Sequence, residues 1–317
     1  MRLWLVLAAA CGTLGAACVQ SGGSGGGQAT ASVAPLAPVA IDSVRLMRDI
    51  GVLAHDSMEG RLAGSPGGAR ARAFLLRSFR ERGLQPVGAA EYQHPFTFER
   101  RDTSVTGVNV VGQVPGSSAP DRYIVITAHY DHLGVRNGEI YNGADDNASG
   151  TAALLAMVDY FTRNRPRHTI VFAALDAEEG GLRGARAFVD RPPVPLASII
   201  LNVNMDMVGR NDAGELYVAG TAHYPQLLSF VERVAATAEV TLIPGHDRPS
   251  AIPTDDWTTA SDHAAFHSAG IPFLYFGVED HPDYHRPTDD LGGIQPGFYA
   301  GAVRTVLSAV SLLDSEL

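Results

Sequence analysis

From residue 41 onward, the hydrophobic and polar positions follow two alternating patterns. Runs of β-branched and aromatic residues predict buried strands, and apolar residues at helical spacing predict amphipathic helices. In residues 66–83, the apolar positions 73, 75, 76 and 79 share one helical face, and Gly83 is suited to end the helix. The predicted strands are 107–114, 122–129, 168–175, 198–205, 215–219 and 271–278, and the predicted helices are 66–83, 148–163, 181–190, 224–238 and 296–315.

Strands separated by helices predict an α/β fold with a mostly parallel central sheet and helices on both of its faces. Ligands of such sheets bind just beyond the carboxyl ends of the strands. Polar clusters at strand ends are therefore candidate site residues, whereas polar residues in the middle of helices are not.

The N-terminus has the pattern of an export signal, with Arg2, an apolar run over residues 3–10 and small residues before Cys18. Cys18 after Gly15-Ala16-Ala17 resembles a bacterial lipoprotein processing site, although Leu14 lies four residues before the cysteine instead of three. The alternative is plain secretion with a cleaved signal. We expect an exported protein: a periplasmic or cell-envelope lipoprotein of a bacterium, which contacts the membrane only through a lipid on Cys18, or otherwise a secreted one.

Three segments are expected along the chain. Residues 1–18 are the lipoprotein-like signal peptide, and residues 19–40, rich in Gly, Ser, Ala and Pro, have the composition of a flexible linker. Residues 41–317 form a single catalytic domain, because the connection over 84–107 is too short for an inserted domain.

Composition limits the partners and the metal ligands that the chain can have. The formal net charge of −10 argues against a nucleic-acid partner, which would require a basic face. The two cysteines, Cys11 and Cys18, both lie in the signal. A metal in the folded part would therefore be held by His, Asp and Glu. The oligomeric state cannot be read from the sequence.

Acidic residues and histidines follow five successive predicted strands or their loops. One such residue would be unremarkable, but repeated clusters of carboxylates repel one another unless cations are bound. The pattern therefore indicates a metal site at the carboxyl edge of the sheet. The clusters are His129, Asp131 and His132; Asp145 and Asp146; Asp176, Glu178 and Glu179; Asp206; and Asp283 and His285.

Six ordered motifs in these regions carry a family resemblance: HYDHLG, NGADDNASGTAALL, DAEEGGLRGA, MDMVGR, SDHAAF and DYHRPTDD. They resemble the co-catalytic zinc exopeptidases of peptidase clan MH, which include bacterial leucyl-type aminopeptidases and aminopeptidase Y, with glutaminyl cyclases as relatives. The similarity runs from about residue 50 to 315 and implies the phosphorylase/hydrolase-like sandwich of that group.

The resemblance implies two zinc ions per chain, with Asp145 as the carboxylate shared by both. His129 and Asp206 would complete one metal, and Glu179 and His285 the other. The peptide bond after the shared aspartate is often cis in that family.

Four further residues receive roles from the resemblance or from position. Glu178 would be the general base and not a ligand. Asp131, two residues after His129 on the same side of an extended segment, would accept a hydrogen bond from that imidazole and fix its tautomer. His132 is expected to be a loop residue, and Ser261 either caps a helix or belongs to the pocket wall.

The implied activity is that of an aminopeptidase, which hydrolyses the first peptide bond of a substrate with a free N-terminus through a water shared by the two metals. A glutaminyl cyclase-like transferase is the main alternative, and carboxypeptidase or dipeptidase action on the same site is another. A metal-binding surface lipoprotein without activity is the third, but it would not need Glu178.

Overall fold

The computed structural model describes residues 39–88 and 91–317. The predicted signal, Cys18 and almost all of the predicted linker lie outside these residues. The helices are α1 Ser43–Leu53, α2 Pro66–Glu81, α3 Gly150–Phe161, α4 Arg183–Asp190, α5 Leu228–Ala235, α6 His263–Ser268 and α7 Pro296–Glu316. The strands are β1 Gln85–Pro86, β2 Gln93–Arg100, β3 Thr103–Val114, β4 Ala119–His129, β5 Gly134–Arg136, β6 Glu139–Tyr141, β7 His168–Leu175, β8 Ile199–Met205, β9 Glu215–Ala219, β10 Thr241–Pro244 and β11 Phe273–Gly277.

The helix predicted over 66–83 forms as α2, and its ends show why. Ser65 accepts a hydrogen bond from the N–H of Gly68 through its side chain, and Pro66 occupies the first turn, where its missing N–H costs nothing. Gly83 follows the helix at a φ of 74°, a left-handed conformation that glycine adopts without strain. The expected helix end at Gly83 is therefore confirmed, and the structure adds the cap at Ser65.

Nine strands of the described residues form one mixed sheet in the order β1-β3-β7-β4-β8-β11-β9-β10, with β2 pairing with β3. Its centre, β7-β4-β8-β11, is parallel, as predicted. The pairings of β3 with β1, β2 and β7 and of β9 with β11 are antiparallel. The mostly parallel sheet is thus confirmed for the centre, while the flanking strands make the whole sheet mixed.

Alternate residues of the central strands face two separate hydrophobic clusters. In β4, Ile124 and Ile126 join the larger cluster, whereas Val125 joins the other. This period of two places α1, α2, α3, α5 and α7 over one face of the sheet and α4 and α6 over the other. The predicted α/β sandwich is confirmed, and it directs the parallel strand ends toward one edge.

Helix α7 is long and apolar enough to cross a membrane by length and composition alone, but 67% of its most apolar window is buried against the domain. Core helices of folded domains have the same character.

Candidate metal centre

The first group of candidate ligands joins three chain segments at the carboxyl edge. His129 ends β4, and Asp206 directly follows the neighbouring parallel strand β8. The Nε2 of His129 lies 3.2 Å from Oδ1 of Asp206 and 3.4 Å from Oδ1 of Asp146. All three residues are buried. Two carboxylates and an imidazole nitrogen thus converge on one point.

The second group lies on the other oxygen of Asp146. Oδ2 of this residue is 3.0 Å from Nε2 of His285 and 3.6 Å from Nδ1 of His132. Glu179 completes the group: its Oε2 lies 3.3 Å from the His285 ring, and its Oε1 lies 2.7 Å from Nδ1 of His132. The two groups therefore share one carboxylate, that of Asp146.

The expectation that Asp145 is the shared carboxylate does not agree with this geometry. Its Oδ1 accepts a hydrogen bond from the N–H of Gly209, and its Oδ2 lies 3.2 Å from Nε2 of His281. The side chain thus serves the surrounding loops, and Asp146 takes the place that the sequence assigned to Asp145. The cis peptide also lies one residue later than expected, between Asp146 and Asn147.

The sequence also missed His132. The sequence predicts a loop residue at this position, but the ring of His132 is fully buried and lies in the second group. The available signal was its place three residues after His129 in the same strand-end segment, HYDH. His285, which the sequence predicts as a ligand, also belongs to the second group. Its ring lies beside that of His132, with the two ring centroids 5.8 Å apart.

The loop that carries Asp146 is fixed by two buried charged residues. Asp289 accepts hydrogen bonds from the backbone N–H groups of both Asp145 and Asp146. Arg61 is fully buried and donates to the carbonyl groups of Asn142 and Gly143 just before the loop. Burial raises the pKa of Asp289 to about 6 and lowers that of Arg61 to about 10.

Other residues position the first group. The Oγ of Ser261 donates to Oδ2 of Asp206 at 2.7 Å, so Ser261 holds a candidate ligand and does not cap α6, which has no side-chain cap. The Nδ1 of His129 faces the backbone carbonyl of Asp131 at 3.2 Å. A carbonyl oxygen can only accept, so Nδ1 carries a proton, and Nε2 is the nitrogen that faces the carboxylates and could bind a metal.

Asp131 itself is placed differently from its expected role. Its Oδ1 lies 3.8 Å from Nδ1 of His129, beyond a hydrogen bond, and instead accepts the N–H of Glu178 at 2.9 Å. The carboxylate of Asp131 therefore positions the segment that carries Glu178 and Glu179, while its carbonyl orients the imidazole.

The electrostatics of the centre favour bound positive charge. Burial raises the pKa of Asp146, and the neighbouring Glu179 adds to this. Burial also raises the pKa of Glu178 well above its ordinary value, against the opposing effect of His129. At His285 burial acts to lower the pKa, but hydrogen bonds to Asp146 and Glu179 outweigh it and raise it to about 10. Cations would remove the repulsion that these shifts report.

Unsatisfied atoms show that the residues present fit a metal. Both ring nitrogens of His132 and Oε1 of Glu179 are buried without a hydrogen-bond partner, despite the 2.7 Å between Nδ1 and Oε1. Buried polar atoms are rarely left unpaired in folded proteins. Imidazole and carboxylate ligands are the set that zinc binds in the absence of cysteine. A bound cation would therefore account for Nδ1 of His132 and Oε1 of Glu179, the two unpaired atoms that lie within the second group.

A pocket of about 290 Å³ opens over the two groups. Leu182, Trp257, Tyr275 and Tyr284 form apolar and aromatic parts of its wall. Its lining includes five carboxylates and, among the described residues, no lysine or arginine. The carboxylates are those of Asp146, Glu178, Glu179, Asp206 and Asp280.

Comparison with known families gives a match to peptidase family M28 over residues 109–310, which is well over half of the chain. Among curated proteins, aminopeptidase YwaD of Bacillus subtilis is 32% identical over 202 residues, covering 60% of this chain and 41% of that protein. A probable zinc metalloprotease of Pyrenophora tritici-repentis is 32% identical over 155 residues, covering 45% and 35%. The chain thus spans less than half the length of these relatives.

Solved structures show the same fold. A leucine aminopeptidase precursor from Bacteroides thetaiotaomicron superposes with a TM-score of 0.70 at 18% identity, covering 87% of this chain and 99% of that one. Glutaminyl cyclase from Porphyromonas gingivalis superposes with a TM-score of 0.72 at 18% identity, covering 89% and 100%. Because both kinds of enzyme share this fold, the fold does not separate them.

Proposed function

We propose that this chain, which belongs to peptidase family M28, is a two-zinc aminopeptidase. The observation that supports this most strongly is that Asp146 is common to both ligand groups. His129 and Asp206 would hold one metal together with one carboxylate oxygen of Asp146. Glu179 and either His285 or His132 would hold the other metal. Bound zinc would polarise the scissile carbonyl and lower the pKa of a bound water.

Glu178 is the residue that we assign to proton transfer. It lines the pocket beside Glu179 but belongs to neither ligand group. Its high pKa, which results from burial, suits a group that accepts a proton from water and returns it to the leaving amine. The backbone N–H of Glu178 is held by Asp131, which thus acts as a positioning residue.

The charge of the pocket supports an aminopeptidase over a carboxypeptidase. A substrate with a free N-terminus brings an ammonium group, and beyond the carboxylates assigned to the metals the pocket has those of Glu178 and Asp280. A carboxypeptidase must instead receive a carboxylate close to the scissile bond, and among the described residues this lining offers no lysine or arginine for it. The probable glutamate carboxypeptidase AMP1 of Arabidopsis thaliana, 31% identical over 247 residues, keeps that activity as a candidate to be tested.

The second candidate is a glutaminyl cyclase-like transferase. A transferase of this kind commonly needs a single zinc, whereas His129, Asp206 and Asp146 here form a complete ligand group next to the second one. The presence of both groups therefore favours the two-metal hydrolase.

Incubating metal-loaded protein with unblocked peptides of mixed termini, followed by mass spectrometry, tests the proposal. We expect stepwise loss of N-terminal residues that a chelator abolishes and added zinc restores. N-terminally acetylated copies of the same peptides are the matched control and should remain intact. Loss of ammonia restricted to N-terminal Gln would show a cyclase, and loss of C-terminal residues would show a carboxypeptidase.

We further propose export through the segment at residues 1–18, with Cys18 as the site of lipidation. Metabolic labelling with a fatty acid should mark the full chain and not a Cys18→Ser variant. Labelling of neither, with release into the medium, would instead show plain secretion.

A further inference from the structure

A second hollow begins where the active-site pocket ends. Leu182, immediately before α4, lines both the pocket and this hollow, which has a volume of about 640 Å³. The hollow runs between α4 and α6, with Val189 and Ala265 among its apolar walls. It is large enough for several amino-acid side chains and adjoins the pocket at Leu182.

The hollow offers a cationic side chain that the pocket lacks. Arg186 lines the hollow and is exposed, together with one acidic residue, Asp190. Within the described residues, Arg186 forms no ion pair shorter than 4.0 Å. A third hollow follows on the far side of α4 and contains Arg183, Arg186 and Arg191, with Glu99 and Asp190 as opposing acids. The arginines thus outnumber the acids there.

We infer that the hollow between α4 and α6 binds the residues that follow the scissile bond, and that Arg186 binds the C-terminal carboxylate of a short peptide. This inference rests on the proposed aminopeptidase function and adds a substrate class to it. Among the described residues, the pocket lining offers no lysine or arginine to the carboxylate of such a peptide, whereas the adjoining hollow offers Arg186.

Helix geometry sets the peptide length. The backbone N–H of Arg186 donates to the carbonyl of Leu182, so the two residues lie one turn apart on the same face of the helix. Four residues of helix rise about 6 Å, and an extended peptide covers roughly 3.3 Å per residue. Two residues beyond the scissile bond therefore reach from Leu182 to Arg186. With the N-terminal residue, this length corresponds to a tripeptide.

Paired substrates test the inference. Each tripeptide is assayed as its free acid and as its C-terminal amide, and the ratio of the two kcat/KM values is taken for each protein. For the unaltered chain we expect the acids to be favoured roughly three- to fivefold, as for one exposed ion pair. In Arg186→Gln the ratio should fall to about one. In Arg77→Gln, a matched loss of charge on the exposed face of α2, it should stay unchanged.

A binding measurement separates affinity from turnover. Calorimetry on a metal-loaded Glu178→Gln protein should give a lower Kd for the acid than for the amide, and adding Arg186→Gln should remove that difference. An acid-to-amide ratio of one in the unaltered chain would overturn the inference while leaving the aminopeptidase intact. Failure to hydrolyse an aminoacyl arylamide, which has no residues in the hollow, would instead overturn the proposed function.

Discussion

Asp145 and Asp146 are adjacent in the chain, but their carboxylates have different partners. Asp145 accepts the N–H of Gly209, whereas Asp146 has one oxygen 3.4 Å from His129 and the other 3.0 Å from His285. Of the residues that the structure describes, only Asp146 belongs to both ligand groups. The two aspartates thus have different roles: Asp145 fixes the loop, and Asp146 faces the metal centre.

This division predicts opposite results for two otherwise identical substitutions. Asp146→Asn removes the shared negative charge and should reduce bound zinc from about two ions per chain to less than one, because a bridging ligand serves both sites. Asp145→Asn keeps an oxygen that can accept the Gly209 N–H, so the metal content should remain near two. Elemental analysis after dialysis measures both. Metal loss in Asp145→Asn alone would restore the assignment made from the sequence.

The neighbours Glu178 and Glu179 allow a second matched comparison. Glu178→Gln should lower kcat by about 10² to 10⁴, the usual contribution of a general base, with full metal content. Glu179→Gln should lose metal, because Glu179 belongs to the second ligand group. Metal analysis and kcat measured on the same samples separate the two effects. Loss of metal from Glu178→Gln would reverse our division of the two roles.

The fold was accessible from the sequence because its core strands are nearly continuous apolar runs. Residues 168–175 and 215–219 form strands with the predicted bounds. Strand direction was not accessible, since an apolar run looks the same whether its neighbour is parallel or antiparallel. Strand β2, QHPFTFER, was missed because it is mostly polar and pairs at the edge through β3 alone. Helix α1 was also missed, although Asp42 is a recognisable cap.

Most of the candidate site was found because strand ends of a parallel sheet converge. The choice between Asp145 and Asp146 depends on the backbone of a loop, which the buried carboxylate of Asp289 and the guanidinium of Arg61 hold in place. These two residues lie 144 and 84 positions away from Asp145. No local pattern could indicate such distant contacts.

Arg61 leads to a prediction about stability. It is fully buried and donates to the carbonyls of Leu53, Tyr130, Asn142 and Gly143. Arg61→Leu leaves these acceptors unpaired, so we expect the free energy of unfolding to fall by roughly 3–5 kcal/mol. Chemical denaturation with the chelated protein measures this without a contribution from metal.

The control for Arg61 is the same substitution at an exposed arginine. The side chain of Arg77 is 60% exposed, lies 4.0 Å from the carboxylate of Glu81 and has its guanidinium 5.7 Å from the centroid of the Phe74 ring. Arg77→Leu should therefore change the free energy of unfolding by about 0.5 kcal/mol or less. Equal effects of the two substitutions would mean that the hydrogen bonds of Arg61 do not stabilise the loop.

The last prediction concerns pH. His263 is fully buried, stacks on Tyr275 and donates from Nε2 to the carbonyl of Trp257, while its Nδ1 has no partner. Burial lowers its pKa to about 4, from an ordinary value of 6.5. Between these two values the unfolded chain binds a proton that the folded chain does not, so stability falls as the pH decreases from 6.5 toward 4. This shift corresponds to about 3 kcal/mol.

Comparison with His263→Gln isolates this effect from the other groups that titrate in the same range. Glutamine has a side-chain N–H that can replace the donor to Trp257 but does not bind a proton. The free energy of unfolding of this variant should therefore fall less steeply between pH 6.5 and 4 than that of the unaltered chain. Parallel slopes for the unaltered chain and His263→Gln would show that His263 is protonated in the folded protein.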